Sequence, residues 1–400
     1  MHDRRTLIVT DEMEVGGSQR QIVHLLEGLA HSGWSPTLLY FRKPSFLVER
    51  LRARGIAVQM IEKRGRIDLR FFARLVALLR RGRFDVVHCF SFTAELWVAA
   101  ALRVARVDTV LVASVRGLCL EYKPWQWRLK RLICRRAGAI IANSRAGALT
   151  TSELARVAPE RIEVIRNGVE IPAAIDADER RATRVGLLGH DPAMLVLFVG
   201  RLVEVKNVPV LLRALALIPA LARPRLVLAG DGPLRRPLRE QAQRLGVAAH
   251  VHFLGERRDT HLLMQCADVL VLPSREEGLS NVILEAMAAG CPVIASAVGG
   301  SPELVEHPRS GLLFPSDDAS ALAAALVRVG ADPELRLRLA AAAGYRARCE
   351  FSIETMVRRT IASYERCLEH GAPRPSDADE DGVAPPHPQP DPTLRAGLHR

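Results

Sequence analysis

Short apolar runs alternate regularly with longer amphipathic stretches along most of the chain, and this pattern limits the possible folds. Within residues 17–30, apolar residues recur at the 3.6-residue period of a helix that buries one face. Such alternation is typical of a parallel α/β architecture. In the first half we predict helices at 17–30 and Leu47–Arg54, and strands at Thr6–Thr10, Pro36–Phe41, Asp85–Cys89, Thr109–Ser114 and Ala139–Asn143. The segment Arg161–Arg166 leads into a turn at Asn167-Gly168.

The alternation breaks once, between Ile171 and Pro192, where prolines and a charged cluster replace the apolar period. We therefore predict domains at 1–170 and 193–350, joined by a linker at 171–192. A closing helix follows at 351–370, and the proline-rich segment 371–400 is predicted to be a disordered tail. The second domain should contain strands at Leu195–Val199, Arg225–Ala229, Val251–Leu254, Val269–Leu272 and Pro292–Ser296.

Composition excludes several classes of protein. No apolar window is long enough for a spanning helix, and the N-terminal run Leu7–Val9 is too short for a signal peptide, so we expect a cytoplasmic protein. The seven cysteines contain no C-x-x-C pair and are expected to be reduced, with no zinc or other metal site.

The positive charge is concentrated in the first 170 residues, where 29 Lys and Arg face 16 Asp and Glu. This half should therefore meet something acidic: an anionic lipid surface, a pyrophosphate or a nucleic acid. Because arginine supplies 51 of the 56 basic residues, the arginine excess alone is not evidence for nucleic-acid binding.

Loops that follow strands are the places to look for chemistry, since ligands of open α/β sheets bind beyond the carboxyl ends of the strands. In the first such loop, Gly16 and Gly17 open a helix and let the backbone approach an anion. An ordinary connector explains this diglycine equally well. In the loop at 199–207, Arg201 and Lys206 suit a diphosphate, although two solvated charges are the plain alternative.

A third loop, at 273–290, combines a helix start with two carboxylates. Residues Gly278, Leu279, Ser280 and Asn281 can expose successive backbone N–H groups to a phosphate. Glu277 precedes this turn, and Glu285 lies two helical turns on, where it could accept hydrogen bonds from a ribose. The alternatives are helix-dipole stabilisation for Glu277 and a surface charge for Glu285.

Glu277 and Glu285 form an E-x7-E pattern within PSREEGLSNVILEAMAAGCPVIAS. With VGRLVEVKN, AGDGPL at 229–234, RNGV at 166–169 and VGGSQRQ at 15–21, the chain resembles the family-four retaining glycosyltransferases of GT-B fold over residues 5–370. The resemblance implies two Rossmann-like domains that face each other across a cleft, with helix 353–369 crossing back to the first domain. It implies transfer of a sugar from a UDP- or GDP-linked donor to a glycan or lipid-linked acceptor, in cell-surface polysaccharide or glycolipid biosynthesis, without metal or cofactor.

The resemblance also implies roles for individual residues. Arg201 and Lys206 would neutralise the donor diphosphate, Glu277 would lie near the donor sugar, and Glu285 would bind the ribose. The turn Gly278–Asn281 would cover the sugar and phosphate, the loop with Gly16 and Gly17 would close on the phosphates, and 254–258 would flank the nucleobase. Many relatives carry H-x-H where this chain has His88-Cys89-Phe90, so His88 is a catalytic candidate beside the alternative of a strand-end histidine with satisfied hydrogen bonds.

Residues 116–136 hold seven basic residues against Glu121 alone, together with Trp125 and Trp127. A helix opened by Pro124 could dock on an anionic membrane, or it could pack on its own domain with its arginines in water. Two other functions stay open at this stage. One is a sugar-nucleotide epimerase, and the other is a non-enzymatic module that binds an anionic polymer.

Overall fold

The computed structural model describes residues 4–14, 16–65, 67–189 and 193–370, and these form two α/β domains. The predicted tail at 371–400 lies outside the described residues. Each domain is built on one sheet whose strands all pair in parallel. The predicted GT-B architecture is therefore confirmed.

The first domain has a seven-stranded sheet in the order β3-β2-β1-β4-β5-β6-β7, with helices on both faces. Its elements are β1 (Arg5–Glu12), α1 (Gly17–His31), β2 (Ser35–Arg42), α2 (Phe46–Ala53), β3 (Ala57–Met60), α3 (Leu69–Gly82), β4 (Val86–Cys89), α4 (Phe92–Ala105), β5 (Val110–Val115), α5 (Pro124–Arg136), β6 (Ala139–Ala142), α6 (Arg145–Ala155) and β7 (Ile162–Val164).

A helix, α7 (Ala177–Leu188), connects to the second domain, whose six strands run in the order β10-β9-β8-β11-β12-β13. The elements are β8 (Leu195–Val199), α8 (Val208–Leu217), β9 (Arg225–Ala229), α9 (Arg235–Arg244), β10 (Val251–Gly255), α10 (Thr260–Cys266), β11 (Val269–Leu272), α11 (Asn281–Ala288), β12 (Val293–Ser296), α12 (Ser301–Leu304), β13 (Leu312–Phe314), α13 (Ala319–Ala331), α14 (Pro333–Glu350) and α15 (Ile353–His370).

Burial explains why the apolar runs become strands. Both faces of the first sheet are covered, so Leu7, Ile8 and Val9 are all fully buried although their side chains alternate between the faces. Polar residues directly after the strands then start the helices. Ser91 and Ser144 each accept a hydrogen bond from a backbone N–H of the first turn, which fixes where α4 and α6 begin.

The structure contains elements that the apolar pattern did not indicate. Strands β3 and β13 lie at sheet edges, and β3 is largely exposed, so it lacks the continuous apolar run of a central strand. Helix α7 occupies most of the predicted linker. It has no buried residue, which explains the missing apolar period, and it is started instead by the cap Asp176 and an acidic first turn.

Helix α15 returns to the first domain, as predicted. Its residues Met356, Val357 and Tyr364 are buried in the core of that domain. Gly28 of α1 permits this contact, because a Cβ atom there would lie 2.4 Å from Val357. The crossing helix therefore ties the two domains together, and the loops at the carboxyl ends of both sheets face one cleft.

Candidate functional site

The loops that follow β8 and β11 are joined by direct hydrogen bonds. The Lys206 ammonium lies 2.5 Å from a carboxylate oxygen of Glu277, which also accepts a hydrogen bond from the Ser274 hydroxyl at 2.7 Å. Between the same loops, the Arg275 N–H donates to the Val205 carbonyl at 2.8 Å. The structure thus brings together the predicted residues Lys206 and Glu277, whose loops come from neighbouring strands.

Arg201 lies at the start of the loop after β8 and is exposed. Among the described residues, its guanidinium meets no carboxylate and no hydrogen-bond acceptor. The loop itself is fixed further along, where the Asn207 side chain donates to Asp317 at 3.0 Å. These loops therefore carry two cations: Arg201, which has no acidic partner among the described residues, and Lys206, which is paired with Glu277.

Glycines allow a neighbouring loop to pack on this one. Gly230 and Gly232 have φ values of 141° and 158°, which disfavour any residue with a Cβ atom. A Cβ on Gly230 would lie 1.9 Å from the Gly200 carbonyl oxygen, and one on Gly232 would lie 2.5 Å from that of Leu202. The AGDGPL segment is therefore a backbone support for the loop that carries Arg201.

The turn Gly278–Ser280 presents free donors at the start of α11. Ser280 caps the helix, and its hydroxyl accepts from the Ile283 N–H at 3.4 Å. The N–H groups of Gly278, Leu279 and Ser280 donate to no acceptor within the described parts of the chain. Adjacent free N–H groups at a helix start attract an anion, so this turn can hold a phosphate.

First-domain residues meet the start of α11 from across the cleft. The Asn281 side chain accepts a hydrogen bond from Asn167 at 2.7 Å, and Gln21 lies 3.4 Å from the same oxygen. Gly17 packs on this amide so closely that a Cβ atom there would lie 2.6 Å from it. Gly16 directly precedes α1 in an extended conformation. The diglycine loop therefore lies against the helix start that carries the free N–H groups.

Glu285 is buried rather than exposed on the surface. Its side chain is 9% exposed, and one carboxylate oxygen accepts a hydrogen bond from Arg20 of α1 at 2.8 Å. Because a carboxylate has about four acceptor positions, this contact leaves capacity for hydroxyl donors. The interdomain ion pair fixes the carboxylate at the wall of the cleft.

His88 lies in the interior of the first domain, against α15. One ring nitrogen is 2.6 Å from the Tyr364 hydroxyl, and the other is 2.8 Å from the Ser114 hydroxyl. Burial lowers the pKa of His88 to about 3, so the ring is neutral. Both ring nitrogens therefore have hydrogen-bond partners in a buried network, as the strand-end alternative describes.

The basic stretch at 116–136 divides between the interior and the surface. Lys130, one of the seven basic residues of this stretch, is buried, and its ammonium contacts both oxygens of the buried Glu95 at 2.6 and 2.7 Å. Trp127 is also buried. The exposed face of α5 carries Trp125, Arg128, Leu132 and Arg136.

Four residues of the cleft were not singled out from the sequence. Arg20 and Gln21 belong to VGGSQRQ and Asn167 to RNGV, so these motifs contained the signal, whereas Arg116 was considered only as a surface cation.

No cluster of three metal-ligating side chains occurs in the described ranges, and none of the described helices is both long and apolar enough to cross a membrane.

Two family models match the chain in succession. Glycosyltransferase Family 4 matches residues 15–171, and Glycosyl transferases group 1 matches residues 193–332. A D-inositol 3-phosphate glycosyltransferase of Jonesia denitrificans is 35% identical over 73% of this chain and 74% of the relative. The putative glycosyltransferase EpsF of Bacillus subtilis is 30% identical over 73% and 79%.

Solved structures share the fold at lower identity. HepE of Anabaena, determined in complex with UDP, has a TM-score of 0.82 at 24% identity and covers 90% of this chain and 100% of its own. Sucrose-phosphate synthase of Thermosynechococcus elongatus has a TM-score of 0.76 at 22% identity and covers 92% and 100%. These likenesses agree with the two facing parallel sheets described above.

Proposed function

The chain belongs to the family-four glycosyltransferases, and we propose that it is a retaining enzyme that takes its sugar from a UDP- or GDP-linked donor. The acceptor we propose is a glycan or a lipid-linked glycan, in the biosynthesis of cell-surface polysaccharide or glycolipid. The observation that carries this proposal is the convergence of Arg201, Lys206 and the free N–H groups of residues 278–280 in one cleft.

These groups suit a leaving diphosphate. When the bond between the sugar and the diphosphate breaks, its electron pair goes to the phosphate oxygen, and negative charge grows there. Cations and N–H groups that already face this oxygen stabilise the charge without reorganising, which lowers the barrier of the reaction. Arg201 is free to pair with a phosphate, and Lys206 is already held in the site by Glu277.

The carboxylates would act on the sugar and the ribose. Glu277 holds Lys206 and would face the donor sugar from the same position. The buried Glu285 would accept hydrogen bonds from the ribose hydroxyls with the capacity that Arg20 leaves. Because HepE was determined with UDP and with UDP-glucose, UDP-sugars are the first donors to test.

The test is a panel of labelled UDP- and GDP-sugars without acceptor, scored for slow release of the nucleoside diphosphate. We expect release from one donor class, with an oligosaccharide or lipid-linked acceptor raising the rate. The anomeric configuration of the product, measured by proton NMR, should match that of the donor. An enzyme that leaves every donor intact would contradict the proposal, and an inverted product would contradict a retaining reaction.

We also propose that the exposed face of α5 docks on an anionic membrane. Trp125, Arg128, Leu132 and Arg136 follow one another at helical spacing on this face, and the first 170 residues carry the excess of positive charge. Aromatic and basic side chains on one face suit the headgroup layer. Docking there would bring the cleft to a lipid-linked acceptor.

Sedimentation with phosphatidylcholine vesicles, with and without phosphatidylglycerol, tests the docking. We expect binding only to the anionic vesicles, weakened by salt and by Trp125→Ala or Arg128→Glu. Arg74→Glu, an exposed site on α3, is the matched control for the charge change. Equal binding to both vesicle types, or binding to neither, would favour a soluble acceptor.

A further inference from the structure

Arg116 is a cation in the cleft that no acidic side chain of the described residues neutralises. It is the first residue after β5, and the backbone at 116–117 touches the turn after β11: a Cβ on Gly278 would lie 2.7 Å from the Gly117 Cα atom. Its guanidinium donates one hydrogen bond, at 2.8 Å, to the Asn167 side chain. Asn167 in turn donates to Asn281 at the start of α11.

The Arg116 guanidinium has one hydrogen-bond donor that is not used within the described structure. Its Nε–H is buried and has no acceptor in the described structure. The Phe90 ring lies 5.1 Å from the guanidinium carbon and shields it from water. Burial lowers the pKa of Arg116 to about 10, and no carboxylate lies within ion-pair distance in the described ranges. A charge that is partly withdrawn from water without a counter-ion is costly, so this position favours an anion.

Three other cations of the cleft, unlike Arg116, have acidic partners. Arg20 pairs with Glu285, Lys206 pairs with Glu277, and Arg166 lies 3.3 Å from Glu303. Arg201 has no acidic partner among the residues that the structure describes, but it is exposed to water. Among these five, only Arg116 is partly buried and yet has no carboxylate partner within the described ranges.

The position of Arg116 indicates which anion it serves. On one side lies the turn Gly278–Ser280 with its free N–H groups. On the other side is a cavity of about 60 Å³ in the first domain, lined by Phe90, Ser91, Tyr122 and Trp127 beside Arg116. A planar guanidinium matches the oxygens of a phosphate with two parallel hydrogen bonds.

We propose that Arg116 binds a phosphate group in the cleft, from the first domain, opposite the free N–H groups of the second. The phosphate belongs either to the donor diphosphate or to a phosphorylated acceptor that binds beside the aromatic cavity. This inference rests on the proposed transferase function. It adds a phosphate-binding residue that lies in the first domain, outside the donor-binding loops of the second domain. It assigns Arg116 to a substrate contact and removes it from the membrane-facing surface.

The donor side is tested by calorimetric titration with the nucleoside diphosphate that wild type binds, and with the matching nucleoside. For Arg116→Gln we expect the affinity for the diphosphate to fall about tenfold to hundredfold with that for the nucleoside unchanged, if the phosphate is the donor's. Arg116→Lys should recover part of the loss because it keeps the charge. Arg74→Gln on α3 is the control for removing an exposed arginine.

The acceptor side uses a polyprenyl-diphosphate-linked monosaccharide and the octyl glycoside of the same sugar. If the phosphate is the acceptor's, Arg116→Gln should lower kcat/KM tenfold or more for the diphosphate-linked acceptor and leave the octyl glycoside unaffected. If Arg116→Gln matches Arg74→Gln with every probe, or lowers charged and neutral probes equally, the inference is wrong although wild type is a transferase. If wild type binds no nucleoside diphosphate, the proposed function itself fails.

Discussion

Replacing Lys206 or Glu277 by alanine should separate catalysis from folding. The two side chains form an ion pair at 2.5 Å, with 21% and 10% of their side-chain surfaces exposed. Lys206→Ala leaves the Glu277 carboxylate with the Ser274 hydroxyl as its one side-chain partner in the described part of the chain. Glu277→Ala leaves the ammonium without its carboxylate, although enough of the lysine surface is exposed for water to reach it.

The expected effects follow from these environments. Losing one well-placed donor to the developing charge raises the barrier by roughly 3 kcal/mol, which is a loss in kcat of about 10²-fold or more. The stability cost is smaller, because a partly buried acceptor left with fewer partners costs about 1–3 kcal/mol. Both variants should therefore stay folded at room temperature while turnover falls.

Steady-state kinetics with the donor selected by the panel, together with urea unfolding, measures both quantities. Arg275→Gln is the control, since its ion pair with Asp317 lies near the site but is 44% and 47% exposed and is worth less than about 1 kcal/mol. We expect near-normal turnover for the control. Near-normal turnover in both Lys206→Ala and Glu277→Ala would refute the assignment of the site.

Three further predictions test other parts of the account. Activity should survive EDTA because the diphosphate is met by cations and N–H groups; complete loss with rescue by Mg²⁺ or Mn²⁺ would refute the metal-free mechanism. Wild type should bind UDP more tightly than 3′-deoxy-UDP, and Glu285→Gln should reduce this ratio of affinities about tenfold, measured by titration. An unchanged ratio would exclude a ribose contact. Because the pKa of His88 is lowered in the folded protein, the unfolded chain binds more protons below pH 6.5. The free energy of unfolding therefore decreases as the pH is lowered through this range. Between pH 7 and 5.5 wild type should lose about 1 kcal/mol that His88→Asn retains, and equal urea midpoint shifts for the two proteins would contradict this.

Local signals in the sequence were sufficient for the parallel α/β class and the central strands of both domains. The apolar runs that became central strands are continuous because both faces of each sheet are covered, and this pattern needs no long-range information. The helix α7 was not predicted because it buries no residue, so its caps and acidic first turn were the only signals available. The edge strand β3 was missed for a related reason, since its exposed residues do not form an apolar run.

The site was predictable only in part. The loops that carry Arg201, Lys206 and Glu277 were found because they follow strands and carry charge at suitable spacing. Pairings across the cleft could not be predicted, because Arg20 and Glu285 are 265 positions apart and meet only when the two sheets face each other. Burial was equally hidden: Lys130 resembled its basic neighbours on α5 until the structure placed it beside Glu95.

A crystal structure with the nucleoside diphosphate that the donor panel selects tests the site most directly. The β-phosphate should lie within about 3 Å of the N–H groups of residues 278–280, with Arg201 and Lys206 contacting the diphosphate oxygens. The ribose should lie against Glu285. A nucleotide bound elsewhere, or a diphosphate that contacts neither Arg201 nor the 278–280 turn, would contradict the account.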